Sequence, residues 1–438
     1  MVNDEGFRET TVAERANDDR ERDRGATRVL VLSTVAFTLL FAVWLMFGVL
    51  GVPIREELHL TKIQFSWLTA IAVLSGSIWR LPFGILTDRI GGRRLFIALL
   101  LASALPCFLV SRATTYAGLM TCAFFFGIAG NAFSVGIAWN AAWASRQKQG
   151  FALGTFGAGN VGASVTKLIA PALITLMPAA GLLGGALPGG WRIVPILYTA
   201  MLLVMAAVLW LVAPAHDIKP SSGRPLRAML APLRQVRIWR FGLYYVGVFG
   251  AYVAFSLWLP SYYKSVYHFS LAKSAFLTAF FIFPASLLRP VGGWLSDRYG
   301  ARPVTYAVFI LMVIASLLLG APDGALGIHV GPTLFFVLVE ALGIGMGLGK
   351  ASVYKYIPEY FPRDVGAAGG LVGTLGALGG FVLPIGFGYL EAATGRPQSC
   401  FWLMSALMVS CVVWLHLVVT SIRRQRPKTN PAAALATT

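Results

Sequence analysis

The sequence predicts an all-α membrane protein of twelve transmembrane helices arranged as two six-helix halves. Three observations lead there. The chain of 438 residues is 57% hydrophobic and only 12% charged, too apolar for a soluble domain. Apolar runs recur along it, each about 20 residues long and able to cross roughly 30 Å of hydrocarbon. One pattern also occurs twice. Arg80-Leu-Pro-Phe-Gly-Ile-Leu-Thr-Asp88-Arg89-Ile-Gly-Gly-Arg93 returns as Arg289-Pro-Val-Gly-Gly-Trp-Leu-Ser-Asp297-Arg298-Tyr-Gly-Ala-Arg302, offset by 209 residues at every matched position.

The twelve runs lie near residues 28–52, 63–87, 94–111, 115–142, 150–176, 192–213, 239–263, 272–296, 303–320, 331–357, 365–390 and 399–421. Residues 28–213 form the first bundle and 239–421 the second. The stretch 214–238, with Pro214, Pro220, Pro225 and Pro232 and a basic excess, reads as the connection between them. Residues 1–27 are highly charged, without an apolar stretch or a cleavage pattern, and read as a disordered tail; 422–438 form a second tail.

The formal charge of +18 does not point to nucleic acid, because the basic residues are spread through short loops. One set of loops, with the C-terminal tail, holds 19 Lys and Arg, among them Arg89, Arg93, Arg146, Lys148, Arg298, Arg302, Lys355 and Arg363. The other set holds seven: Arg55, Lys62, Arg112, Arg192, Lys264, Lys273 and Arg396. The positive-inside rule places the first set, and both termini, in the cytoplasm of a cell whose inner membrane the chain spans. Cys107, Cys122, Cys400 and Cys411 fall in apolar runs without metal-ligand spacing and read as small packed hydrophobes. There is no Walker loop after a strand, no His/Cys cluster and no nucleophile–base arrangement, so an enzyme is the least supported class.

Five ionisable residues fall well inside the runs: Arg80, Lys167, Arg289, Glu340 and Lys350. Arg80 and Arg289 each sit eight residues, roughly 12 Å of helix, from a charged loop. A charge at that depth costs several kcal/mol unless it faces a polar interior, which marks a functional site. Four of the five are cationic, so the cavity favours an anion. A guanidinium is planar, stays charged and offers forked donors suited to a flat oxyanion. Tyr245 and Phe249, one turn apart, could add a hydroxyl and a ring from one face. Lys350 reads either as a third cavity charge or as the partner of Glu340. Glu340 is the carboxylate placed for proton coupling, and Lys167 is a further candidate.

The loop Gly84-Ile-Leu-Thr-Asp88-Arg89-Ile-Gly91-Gly92-Arg93-Arg94 and its copy at Gly293–Arg302 resemble the signature of the major facilitator superfamily. In that reading Asp88, Arg89, Arg93, Asp297 and Arg298 belong to gating. Gly130-Asn131-Ala-Phe133-Ser-Val-Gly136 and Gly154-Thr-Phe-Gly157-Ala-Gly159-Asn160-Val-Gly162 resemble the nitrate signature of the nitrate/nitrite porters (NarK/NasA-like). Gly373-Thr-Leu-Gly376-Ala-Leu-Gly379-Gly380 is similar to its second copy. The resemblance covers residues 28–421. It implies that Arg80, Arg289, Tyr245, Phe249, Phe133, Asn160, Gly157 and Gly376 bind substrate, by alternating access without a cofactor or metal. The implied partners are nitrate or nitrite, membrane lipid, and protons if transport is a symport; a monomer is the expected unit. Exchange and proton symport both stay open here, as do an oxalate- or formate-type exchanger and a transporter-like nitrate sensor.

Overall fold

The computed structural model describes residues 3–145, 149–178, 181, 187–219, 234–322, 329–361 and 365–425. Among the described residues twelve helices are long and apolar enough to cross a membrane: α1 (Arg22–Glu57), α2 (Lys62–Thr87), α3 (Gly92–Val110), α4 (Tyr116–Trp143), α5 (Ala152–Leu176), α6 (Gly190–Val212), α7 (Val236–Tyr267), α8 (Leu271–Tyr299), α9 (Ala301–Gly320), α10 (Pro332–Ile357), α11 (Ala368–Thr394) and α12 (Ser399–Ile422). They agree with the twelve expected runs to within a few residues at most ends. An even number of spans puts both chain ends on one face, called here the terminal face; the other is the far face.

The halves α1–α6 and α7–α12 meet along α2 with α11, α5 with α8, and α1 with α7. Large apolar side chains stay exposed on the peripheral helices, as with Leu105 on α3, Leu211 on α6, Ile314 on α9 and Leu417 on α12. A belt of this kind is what hydrocarbon requires. The cysteines are free, with Cys107, Cys400 and Cys411 buried among apolar neighbours.

Two boundaries differ from the sequence expectation. The helix that becomes α1 begins at Asn3, so the segment expected to be a disordered tail is helical. Extending a helix that the membrane span has already nucleated avoids the nucleation cost that a free charged peptide faces. The seventh span begins at Val236, inside the expected connection, and buries Arg240 against Phe241. The connection's Pro220, Pro225 and Pro232, the loop residues Arg146, Lys148 and Arg363, and the tail from Arg426 lie outside the described residues.

The matched loop motif turns as its glycines require. Gly91 has φ 94° and Gly300 φ 87°, left-handed values that a side chain would strain, and the two lie at the 209-residue offset. Two further repeat-matched breaks sit deeper. Trp79 (φ −88°, ψ −1°) interrupts α2 and Leu288 (φ −81°, ψ 1°) interrupts α8, each one residue before an arginine. At similar depth α4 and α5 tighten into 3-10 turns at Gly127–Asn131 and Ala158–Val161, and α7 widens into a π turn at Val246–Gly250. Irregular backbone inside a membrane is tolerated where protein buries it or a cavity borders it, and π turns concentrate at functional sites.

Candidate anion-binding site

The breaks carry the residues that matter. Arg80 follows the break in α2 and is only 2% exposed. Its guanidinium carbon lies 5.4 Å from the ring centre of Trp44, 5.5 Å from that of Phe133 and 5.3 Å from that of Phe249. Arg289 follows the break in α8, and its guanidinium carbon lies 5.8 Å from the same Phe133 ring. Phe133 therefore touches both arginines, one from each half. Aromatic faces hold a cation without neutralising it, which leaves the charge available to a ligand.

The π turn of α7 places Phe249 where its ring stacks on Tyr245, centroids 5.2 Å apart and planes 11° apart. Gly376 leaves room for Tyr245, since a side-chain carbon there would collide with the Tyr245 ring. Gly157 does the same for Arg289, whose Nη1 would lie 3.3 Å from a Cβ at that position. Thus small residues from the two glycine motifs face side chains of the candidate site.

Hydrogen bonding at this centre is incomplete. Arg80 donates from Nε to the Gly76 carbonyl at 3.0 Å and from Nη1 to the Gly373 carbonyl, across the halves, at 3.4 Å. Its Nη2, the Nη1 of Arg289 and both amide atoms of Asn160 are buried without a hydrogen-bond partner among the described residues, and the Tyr245 hydroxyl lies beside the Tyr354 hydroxyl and the Arg289 guanidinium without a close hydrogen bond. Leaving a buried polar group unpaired costs about 1–3 kcal/mol, and more when it is charged. Several such groups together are the signature of a site whose ligand completes them.

Lys350 belongs to this centre. It is fully buried on α10, donates to the Ala285 carbonyl at 2.9 Å, and lies 3.2 Å from the ring centre of Tyr252 and 5.7 Å from that of Phe249. The alternative pairing with Glu340 is corrected by the geometry. Ten residues separate the two on one helix, about 15 Å of rise, and a different face. Glu340 is half-buried near Tyr263, and its Oε1 and the Tyr263 hydroxyl are both unpartnered among the described residues. Lys167 is buried on α5 beyond Asn160 and donates to its own helix at Ala163, 3.4 Å away. The structure does not bring Lys167 or Glu340 to the arginines.

The loop-motif residues are also not brought together across the halves. Arg93 bonds to its own half and to the start of the connection that follows it: its backbone N–H meets Asp217 at 2.9 Å and its guanidinium meets the carbonyls of Trp210 and Ala215. Asp297 pairs with Lys355 within the second half, and Arg298 lies over Trp294 and Tyr299. Arg89 is exposed, and the Asp88 side chain lies outside the described residues.

Sequence reasoning missed Trp44, Tyr252, Tyr354 and the Gly373 carbonyl. Tyr354 packs edge-on against Tyr245 at 4.7 Å. A signal existed for two of them. Tyr252 extends the Tyr245, Phe249 face by the next helical step, and Tyr354 lies one turn from Lys350. Trp44 sits in an apolar run, and a backbone carbonyl leaves no trace in sequence.

On the far face, charges cross between the halves in pairs. Glu56 at the end of α1 meets Lys264 at the end of α7 at 2.6 Å, and Lys62 at the start of α2 meets Glu391 on α11 at 2.7 Å. Arg55 reaches Ser261 at 3.4 Å. Backbones are close here: a Cβ on Gly48 would lie 2.8 Å from the Ser256 carbonyl, and one on Gly388 would collide with Ser66.

The sequence profile of the Major Facilitator Superfamily matches residues 32–321 and, in a second match, 274–437. The chain is 57% identical over 410 residues to the "Probable nitrate/nitrite antiporter NarK1" of Thermus thermophilus, covering 91% of this chain and 93% of that protein. It is 31% identical over 392 residues to the "Probable nitrate transporter NarT" of Staphylococcus epidermidis, covering 89% and 95%. It is also 31% identical over 407 residues to the "Nitrite extrusion protein" of Bacillus subtilis, covering 92% and 96%. A bacterial homologue of the human lysosomal transporter Spinster, solved in an inward-facing and occupied conformation, superposes with a TM-score of 0.74. It covers 93% of this chain and 99% of its own at 15% identity, a likeness of fold.

Proposed function

The chain belongs to the nitrate/nitrite porters of the major facilitator superfamily, and from that premise we propose that it exchanges nitrate and nitrite across the bacterial inner membrane by alternating access. The termini and the basic loops face the cytoplasm. One observation carries the reading: two repeat-matched arginines, one from each half, both lie against the Phe133 ring and present buried nitrogens that are unpaired among the described residues. A flat monovalent oxyanion between them accepts from both forks and from the Tyr245 hydroxyl, while Phe133 and Phe249 offer rings in place of water. The bound anion offsets the repulsion between the arginines and lets the halves rock over it. An empty site keeps its cations unpaired and resists closing, which favours exchange over net flow. The chain acts as a carrier and not as an enzyme, and no cofactor enters the cycle.

The test is nitrate uptake into proteoliposomes preloaded with nitrite or with an inert anion, without a proton gradient. Uptake that needs internal nitrite supports exchange. A second reading, proton-coupled uptake, is favoured by the buried Oε1 of Glu340, which has no partner among the described residues. In that case uptake depends on an inward proton gradient and Glu340→Gln uncouples it. Nitrate that moves under neither condition, with dicarboxylate moving instead, overturns the substrate.

A further inference from the structure

The two arginines occupy equivalent positions and are held differently. Four residues before each lies a carbonyl at a matched position, Gly76 in α2 and Ala285 in α8, again 209 residues apart. The helix breaks at Trp79 and Leu288, which follow these carbonyls, have nearly the same dihedrals. In the first half the Gly76 carbonyl accepts from Arg80 Nε at 3.0 Å, tethering the guanidinium to its own helix. In the second half the Ala285 carbonyl accepts from Lys350 Nζ at 2.9 Å. Arg289 Nη1 points elsewhere, close to Gly157 on α5 of the opposite half, and is unpartnered among the described residues.

Lys350 is well fixed for such a task. It reaches α8 through Ala285 and rests on the ring of Tyr252 in α7. The Tyr252 hydroxyl in turn donates to the Asn160 carbonyl at 3.3 Å and pairs with Ser286 at 3.1 Å. A carbonyl oxygen has a second lone pair, but the Lys350 amine already seated on it at 2.9 Å crowds a guanidinium out of the same place.

We propose that Lys350 is a positioning residue for Arg289: by taking the Ala285 carbonyl it keeps the Arg289 guanidinium off its own helix and turned toward the first half. Arg80 is then the fixed arm of the site and Arg289 the arm that bridges the halves when an anion arrives. The inference rests on the anion site described above.

Lys350→Met keeps the length of the side chain and removes both donor and charge. Its structure by electron cryo-microscopy in a nanodisc shows Arg289 Nε on the Ala285 carbonyl, as Arg80 sits on Gly76. In proteoliposomes its KM for nitrate rises about tenfold, more than kcat falls, as the loss of one positioned charged donor implies. Lys350→Arg, which restores donor and charge, returns Arg289 to Gly157 and KM toward the parent value. Lys350→Leu serves the same purpose if the Met variant is not recovered. Arg289 remaining beside Gly157 in the Met or Leu variant overturns the inference, as does Arg289 moving equally in the Arg variant. The structural arm needs no substrate, so a parent protein that ignores nitrate overturns the substrate reading separately.

Discussion

At the far face acidic side chains are paired with basic ones, whereas the cations at the centre meet no carboxylate among the described residues. Glu56 has Lys264, Glu391 has Lys62, and Glu57 has Arg192 at 2.5 Å and the Trp191 indole at 2.7 Å. Arg80, Arg289 and Lys350 contact rings and carbonyls instead, with guanidinium nitrogens left over. The surface pairs are partly exposed and add little to stability individually. Their significance lies in what they join, because two of them tie one half to the other. The terminal face contrasts again: Arg93 joins the first half to Asp217 at the start of the connection, and Asp297 pairs with Lys355 inside the second half. In the conformation described, the halves are fastened on one side of the membrane, and the centre holds charge in reserve for a ligand.

The contrast breaks most severely if the centre is given a partner of its own. Gly157→Asp puts a carboxylate beside Arg289 and should abolish nitrate transport in proteoliposomes while the protein folds and melts much as before. Arg80→Lys and Arg289→Lys keep the charge and lose the fork. Each removes one to two charge-assisted hydrogen bonds, so the nitrate KM rises or kcat/KM falls by about 100-fold. Tyr245→Phe removes one neutral donor and lowers kcat/KM about tenfold. At the far face, Glu56→Lys sets like charges against each other and changes turnover several-fold with KM little altered, and the swap Glu56→Lys with Lys264→Glu restores the rate. The smallest effect belongs to the exposed pair on the terminal face, where Asp297→Asn slows exchange by about twofold, read from initial rates.

Much of this was legible in the sequence, and the gaps have physical causes. Apolar run lengths located the spans because the bilayer fixes a minimum length. The repeat located Arg80 and Arg289 because a charge at that depth is too costly to keep without a use. Gly91 and Gly300 were legible as turns because only glycine takes their φ cheaply. The pairing of Lys350 was not legible. Counting residues would have separated it from Glu340, but its actual acceptor, the Ala285 carbonyl, is backbone and carries no residue-type signal. The Gly373 carbonyl on Arg80 was hidden for the same reason. Trp44, whose indole donates to Ala72 at 2.9 Å beneath Arg80, looked like one more apolar residue. The far-face pairs that join the two halves escaped because each links residues more than about 200 positions apart, and charges at helix ends read first as topology.

The most direct test of the central claim is nitrate binding to the purified protein, measured by titration calorimetry beside Gly157→Asp. The unpaired arginines predict one saturable nitrate site in the parent chain and none in the variant, with both proteins melting alike. Nitrate binding of equal strength in the two proteins would contradict the account, because it would place the anion away from Arg289.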